Sequence, residues 1–382
     1  MAENRIVTEN GIAASYGIGT YISLLVNFLK READFDITVV ELLSDKTEIV
    51  YTESYGVRYL YIPKAENGIK RCYYRNIFYI LHRYIIVEKQ LIFHLNFMSC
   101  KQLAAMLRLH YPQSKIVLTI HYSVCGMMGL VDSGIEEDEK EFVNKYCDLV
   151  IALSKHRYYF LIDRYKLSPT IIKIIPHGLQ DSYSEELKKN LCIRKQLGLK
   201  DEKIILYVGR LDENKGVDLL VRAFKIVEKN LPDVHLVVVG EGVLLPSLLQ
   251  ECRGVWRKTT FTGFLRKEDV NLLYANASIG VVPSRYEELG FVALEMIMFG
   301  LPIIVNESTG LSDIFSESKI GQLVQLDYED KKLAVRTLSD SMIKLLKDEK
   351  LQMQYKINAR NHYLRNYTIE RFKKRMLEIY RS

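Results

Sequence analysis

The feature that most narrows what this chain can fold into is a recurrence. Along its length, short runs rich in Val, Ile and Leu alternate with segments of helical periodicity. Short apolar strands alternating with helices build parallel sheets covered on both faces. In the first half the pattern predicts strands at Arg5 to Glu9, Ile37 to Leu43, Val57 to Pro63, Leu91 to Asn96, Lys115 to His121, Leu149 to Ser154 and Ile171 to Pro176. The same grammar restarts at Lys203 to Gly209 and continues through Val234 to Gly240, Thr259 to Gly263, Ile279 to Pro283, Pro302 to Asn306 and Gly321 to Gln325.

Between the two series, Gln180-Asp181-Ser182-Tyr183-Ser184 reads as a loop leading into a helix ended by Gly198, and the domain boundary is placed there. Leu333 to Ser382 reads as helices with a break near Asn366-Tyr367-Thr368. A chain of 382 residues is too long for one core at roughly 150 residues per domain, so two domains are expected. Two doubly wound α/β domains would bind ligands beyond the carboxyl ends of their strands, so function is sought in the loops that follow strands.

Hydrophobic residues at 48% and charged residues at 26% match a globular protein and exclude a disordered, collagenous or coiled-coil chain. A net charge of +6 is weak support for nucleic-acid binding, and no recognised module accompanies it. Between Val57 and Leu118, however, the ten residues Arg58, Lys64, Lys70, Arg71, Arg75, Arg83, Lys89, Lys101, Arg108 and Lys115 face only Glu66 and Glu88. Tyr73, Tyr74, Phe78, Tyr79 and Tyr84 interleave with those charges, and Ile69 to Val87 reads as an amphipathic helix. It could rest on anionic lipid through residues 69–89, or turn its aromatics inward as an ordinary basic helix. The six cysteines contain no CxxC pair, which points to small buried hydrophobes in a reducing compartment. The best apolar run, Ile77 to Val87, is broken by His82 and Arg83, and no secretory leader is read, so a cytoplasmic protein is expected.

Two strand-to-loop segments carry the chemistry. After the strand ending Val281-Val282-Pro283-Ser284 comes Arg285-Tyr286-Glu287-Glu288-Leu289-Gly290-Phe291-Val292-Ala293-Leu294-Glu295. Gly290 falls where a helix should begin, and a helix start offers unpaired N–H groups and a favourable dipole to a phosphate. Glu287 and Glu295 flank it, and carboxylates suit hydroxyl donors. The second segment is Val208-Gly209-Arg210-Leu211-Asp212-Glu213-Asn214-Lys215-Gly216, where Arg210 and Lys215 could converge on a diphosphate. A solvated basic loop, and a pair of acids complementing a helix dipole, are the bland alternatives.

With Val239-Gly240-Glu241-Gly242 and Phe261-Thr262-Gly263 added in order, the second half resembles a retaining family 4 glycosyltransferase of the GT-B fold, the glycosyltransferase group 1 class. That resemblance implies domains at 1–180 and 181–365, with a last helix at 366–382 returning to the first. It implies a hexosyltransferase that takes a UDP- or GDP-sugar to an acceptor hydroxyl with retention, using neither metal nor other cofactor. Arg210 and Lys215 match the pair that binds the donor diphosphate, Glu287 the acid facing the transferred sugar, and Glu295 the acid on the ribose. Glu288 adjoins Glu287 and could share its role. Gly209 belongs to the same motif, the amides of Gly290, Phe291 and Val292 match the phosphate cradle, and Gly263 to Leu265 lie where the base rests.

In the first half, Ala14-Ser15-Tyr16-Gly17-Ile18-Gly19-Thr20-Tyr21 stands at the family's Gly-rich loop, where Gly17 and Gly19 would approach the leaving phosphate. His121 matches the strand-end histidine near the reacting sugar. His94 and Ser154 also end strands and are weighed as further contacts, and Pro176-His177-Gly178 resembles an interdomain turn. Asp34-Phe35-Asp36 spells DxD but precedes a strand, and the acids of Glu136 to Glu141 read as a solvated helix face, so no metal is assigned. The organisation resembles a bacterial member acting on a glycan, lipid-linked or peptide acceptor. A nucleotide-sugar epimerase, or a non-catalytic partner that keeps the fold, are the alternatives; such a partner should have lost donor ligands that this chain retains.

Overall fold

The computed structural model describes residues 2–3, 17–32, 34–63, 73–85, 90–121, 134–315 and 319–382. The chain divides into two compact units, one of Met1–Pro176 with Lys373–Ser382 and one of His177–Phe372. Among the described residues the first unit holds eight strands: β1 (Ala2–Glu3), β2 (Ile37–Ser44), β3 (Val50–Ser54), β4 (Val57–Pro63), β5 (Ile92–Leu95), β6 (Lys115–Ile120), β7 (Leu149–Ala152) and β8 (Ile172–Ile174). Their order is β3-β4-β2-β1-β5-β6-β7-β8. Every neighbouring pair is parallel except β3 with β4. The strand expected at Arg5 to Glu9 lies outside the described residues.

The second unit is a six-stranded parallel sheet in the order β11-β10-β9-β12-β13-β14. Its strands are β9 (Lys203–Val208), β10 (Val234–Val239), β11 (Thr259–Gly263), β12 (Ile279–Val282), β13 (Ile303–Asn306) and β14 (Gln322–Val324). All six residues of β10 are buried, because helices cover both faces of a central parallel strand. Leu206 and Ile205, neighbours on β9, are buried on opposite faces for the same reason. The fold is two Rossmann-like α/β units, the GT-B architecture.

Several sequence expectations change in detail. β3 was not expected: it is an exposed edge strand that needs only the turn at Tyr55 and Gly56, both with positive φ, to pair with β4. The helix expected before Gly198 is two short helices, Glu185–Lys189 and Cys192–Gln196, interrupted at Asn190 and Leu191. The C-terminal helices run Lys331–Lys347, Glu349–Asn366 and Ile369–Arg381, adding a break at Asp348, whose side chain caps the second of them. The helix expected over Ile69 to Val87 is described as Tyr73–His82, with Ile77, Phe78 and Leu81 buried and Tyr79 exposed. Among the described residues no helix is long and apolar enough to cross a membrane.

The acids of the helix Gly134–Tyr146 correct the reading of a solvated face at two positions. Glu136 and Glu139 are buried. Glu136 takes two hydrogen bonds from Arg164, both at 2.9 Å, and Glu139 accepts from the Tyr165 hydroxyl. Burial of a carboxylate is tolerated where such partners are supplied.

A buried polar network ties the last helix to the first sheet. His94 lies between the Tyr380 hydroxyl, 2.5 Å from its Nδ1, and the Thr119 hydroxyl, 2.7 Å from its Nε2. Tyr21 meets the same Thr119 hydroxyl at 3.0 Å, and the ring of His121 packs edge-on to Tyr21 with centroids 4.6 Å apart. Desolvation pushes His94 and His121 each down to about 3, so both rings are neutral in the fold. An unfolded histidine titrates near 6.5, so between those values the unfolded chain binds more protons. The stability that depends on the two neutral rings is therefore full above about pH 6.5 and declines as the pH falls. The melting temperature is expected to drop between pH 7.5 and pH 5, with a shallower slope in His94→Gln. A flat profile over that range, followed by differential scanning calorimetry, would contradict neutral buried rings.

Candidate functional site

The carboxyl edge of the second sheet is organised by backbone packed on backbone. The Gly209 N–H donates to the Val239 carbonyl at 3.0 Å and the Gly240 N–H to the Gly263 carbonyl at 2.9 Å, which ties the ends of β9, β10 and β11 together. A Cβ on Gly240 would stand 1.9 Å from the Gly209 oxygen. Further along, Gly216 adopts φ 63° and a Cβ there would stand 2.0 Å from the Pro283 oxygen. The Arg285 N–H donates to the Asn214 carbonyl at 2.8 Å. The loop after β9 is thus docked on the loop after β12.

That docking sets the charged side chains. Asp212 caps the turn Glu213–Lys215 by accepting from the Lys215 N–H at 3.2 Å, and its other oxygen pairs with Arg210 at 3.1 Å. Arg210 is 55% exposed. The Lys215 ammonium sits 2.5 Å from Glu287 Oε1, with Glu287 only 16% exposed. Glu288 is buried and accepts from the Tyr286 hydroxyl at 2.6 Å, so the two adjacent acids point to different partners. The Glu287 carbonyl accepts from the Gly310 N–H at 2.8 Å, which holds the loop from its other side.

Gly290, at φ 82°, begins the helix Phe291–Met298, whose first turn receives no side-chain cap. Phe291 and Val292 are partly exposed. Glu295 follows one turn later on the same helix. Its Oε2 accepts from the Tyr274 hydroxyl at 2.7 Å and its Oε1 pairs with Lys267. Gly263, at φ 67°, and the partly exposed Leu265 flank the exposed ring of Phe264. The ring of Tyr328 lies under the Arg285 guanidinium at 4.5 Å, and its hydroxyl donates to the Pro283 carbonyl. His177 stacks on Phe291 with ring centroids 4.2 Å apart.

Of the sequence-derived residues in this unit, the structure brings Lys215 and Glu287 into contact, ties Arg210 to the same loop through Asp212, and puts Glu295 on the helix that opens at Gly290. Sequence reasoning missed Asp212, Lys267, Tyr274, Arg285 and Tyr328. Lys267 and Tyr274 stand seven apart on the helix Lys267–Asn276, a spacing that shares a face, but nothing local ties that face to Glu295.

In the first unit, Gly17 and Gly19 lie in the first turn of the helix Gly17–Leu29, and the Ala14 to Tyr16 part of that motif lies outside the described residues. His121, directly after β6, is buried with its Nε2 3.0 Å from Asn96 Oδ1. His94 is engaged by Thr119 and Tyr380. Ser154 caps the helix Lys155–Asp163, accepting from the Arg157 N–H at 3.1 Å. Asp34 pairs with Arg381 and Asp36 with Arg58. Among the described residues no group of His, Cys, Asp and Glu is arranged to hold a metal ion. A cavity of about 450 Å³ lies at the amino ends of β2, β4 and β5, lined by Ile37, Arg58, Ile92 and Arg381. It is on the wrong edge of the sheet for the ligand site of an α/β fold.

Residues 191–362 match the family of glycosyl transferases group 1. The chain is 30% identical over 227 residues to an uncharacterized glycosyltransferase of Methanocaldococcus jannaschii, covering 56% of each protein. It is 29% identical over 192 residues to alpha-D-kanosaminyltransferase of Streptomyces kanamyceticus, covering 50% of this chain and 48% of that one. The matches thus span about half the length of these relatives. Sucrose-phosphate synthase from Thermosynechococcus elongatus superposes with a TM-score of 0.78 at 23% identity, over 96% of this chain and 93% of the other. HepE of Anabaena, in complex with UDP and glucose, superposes with a TM-score of 0.76 at 16% identity, over 100% and 99%.

The tight approach at Gly216 generates a direct expectation. Gly216→Ala places a methyl group against the Pro283 carbonyl at a backbone conformation that alanine disfavours, and is expected to cost more than about 1 kcal/mol of stability. Chemical denaturation of the variant checks this; an unchanged midpoint would mean the two loops are not in contact.

Proposed function

We propose that the protein is a glycosyltransferase that moves a sugar from a nucleoside diphosphate sugar to an acceptor hydroxyl with retention at the anomeric carbon. The observation that carries this reading is the single docked unit of Lys215, Glu287 and the uncapped helix start at Gly290, with Arg210 on the same loop. The group 1 match over this segment agrees with it, and so does the UDP and glucose bound by the structurally similar HepE. The stereochemistry rests on the family resemblance.

As the bond from the anomeric carbon to the diphosphate oxygen breaks, the electron pair and the growing negative charge pass to the leaving group. Lys215 and the amides of Phe291 and Val292 are preorganised donors for that charge, and Arg210 joins them from the same loop. The Arg210 side chain is more than half exposed, and ion pairs at the surface are worth about 0 to 1 kcal/mol, so Arg210 is readily released to a diphosphate. Glu287 takes the transferred sugar's hydroxyls and Glu295 those of the ribose. The acceptor oxygen forms the new bond on the face the leaving group departs from, and its proton goes to a departing phosphate oxygen. His121, Gly17 and Gly19 keep the roles the family resemblance implies, His121 toward the reacting sugar and the two glycines toward the leaving phosphate. Gly209, Gly263 and Leu265 shape the nucleotide end.

A thermal-shift screen of UDP, GDP and their sugars tests the reading, because a ligand that binds only the folded state raises its apparent stability. At least one nucleoside diphosphate is expected to raise the melting temperature. Arg210→Ala and Lys215→Ala are each expected to lower transfer from the matching donor on the order of 10²-fold. Silence across the screen, or near-normal transfer in both variants, would refute it.

A further inference from the structure

Glu295 is gripped by two side chains of one helix. Lys267 and Tyr274 stand two turns apart on the helix Lys267–Asn276 and so share a face. Tyr274 donates to Glu295 Oε2 at 2.7 Å, Lys267 pairs with Oε1, and the Lys267 ammonium lies 5.9 Å over the Tyr274 ring. The Tyr274 ring is buried, with Phe299 beside it at a centroid distance of 5.6 Å. Burial pushes its hydroxyl well above the usual tyrosine range, so it remains a donor. Lys267, by contrast, is 48% exposed.

A carboxylate has about four lone-pair directions, two on each oxygen. Tyr274 and Lys267 each take one, on different oxygens, and leave one direction open on each. A vicinal diol presents two hydroxyl donors and matches that remainder, one hydroxyl to each oxygen. A carboxylate freed from either partner could rotate and lose the match.

Building on the reading of Glu295 as the ribose ligand, we propose that Tyr274 and Lys267 are positioning residues that set the nucleotide site's selectivity for ribose over 2′-deoxyribose. They act through the orientation of Glu295 and touch no reacting atom.

Isothermal titration of the full chain with UDP, GDP, their 2′-deoxy counterparts and inorganic pyrophosphate provides the test, in wild type and in Tyr274→Phe, Lys267→Met and Glu295→Ala. The wild type is expected to favour the ribonucleotide of its preferred base by about tenfold or more, the scale of a hydrogen bond to a charged group. Tyr274→Phe and Lys267→Met are each expected to cut that ratio about threefold or more, with pyrophosphate affinity unchanged. Lys267→Met, at the surface, carries the comparison if Tyr274→Phe does not fold. If Glu295→Ala abolishes the preference while both positioning variants keep it in full, the proposal is overturned and the ribose reading stands. A wild type without the preference, or a Glu295→Ala variant that retains it, overturns the ribose reading itself and the proposal with it.

Discussion

Backbone passing against backbone, with no side chain between, is the constraint on which the second unit depends. The Pro283 carbonyl occupies the space that a Cβ on Gly216 would need, and the Gly209 carbonyl does the same at Gly240. Each contact joins the exits of two strands. Because those exits carry Arg210, Lys215 and Glu287, closeness of the main chain becomes closeness of charge. A wider spacing would leave Lys215 without Glu287 and would separate both from the helix that opens at Gly290.

Three cations of this region are each held by an acid: Arg210 by Asp212, Lys215 by Glu287, Lys267 by Glu295. Part-buried cations left single would carry a desolvation cost, and acids left single would repel an incoming anion. The pairs differ in how firmly they are set. Arg210 is the most exposed of the three cations, whereas Lys215 is the most enclosed and is framed by a docked loop. The arrangement gives one cation that can move and one whose place is fixed by the fold.

How much of this was legible in the sequence follows from the range of the interactions. The buried parallel strands were readable because a strand covered on both faces must be apolar throughout, as β10 is. Val50–Ser54 was not, since four of its five residues are exposed and carry no burial signal, and its pairing depends on a turn with positive φ at Tyr55 and Gly56. Gly216, Gly290, Lys215 and Glu287 were legible as residue types in loops that follow strands. Their partners were less so: Glu136 finds Arg164 28 positions away, and Glu295 finds Lys267 at the same separation, contacts that only the tertiary fold creates. Glycines beside charges mark a loop, while the packing that turns the loop into a site is non-local.

The route of the main chain has its own consequence. Leu179 donates to the Tyr367 carbonyl at 2.8 Å and accepts from the Ile369 N–H at 3.0 Å, so the second unit's entry and exit lie side by side. That unit is an insertion within the first, whose segment Lys373–Ser382 follows it along the chain. They bring Tyr380 to His94 and Arg381 to Asp34. On the ribosome the first unit therefore waits, with its polar core unclosed, until every residue of its neighbour has been made.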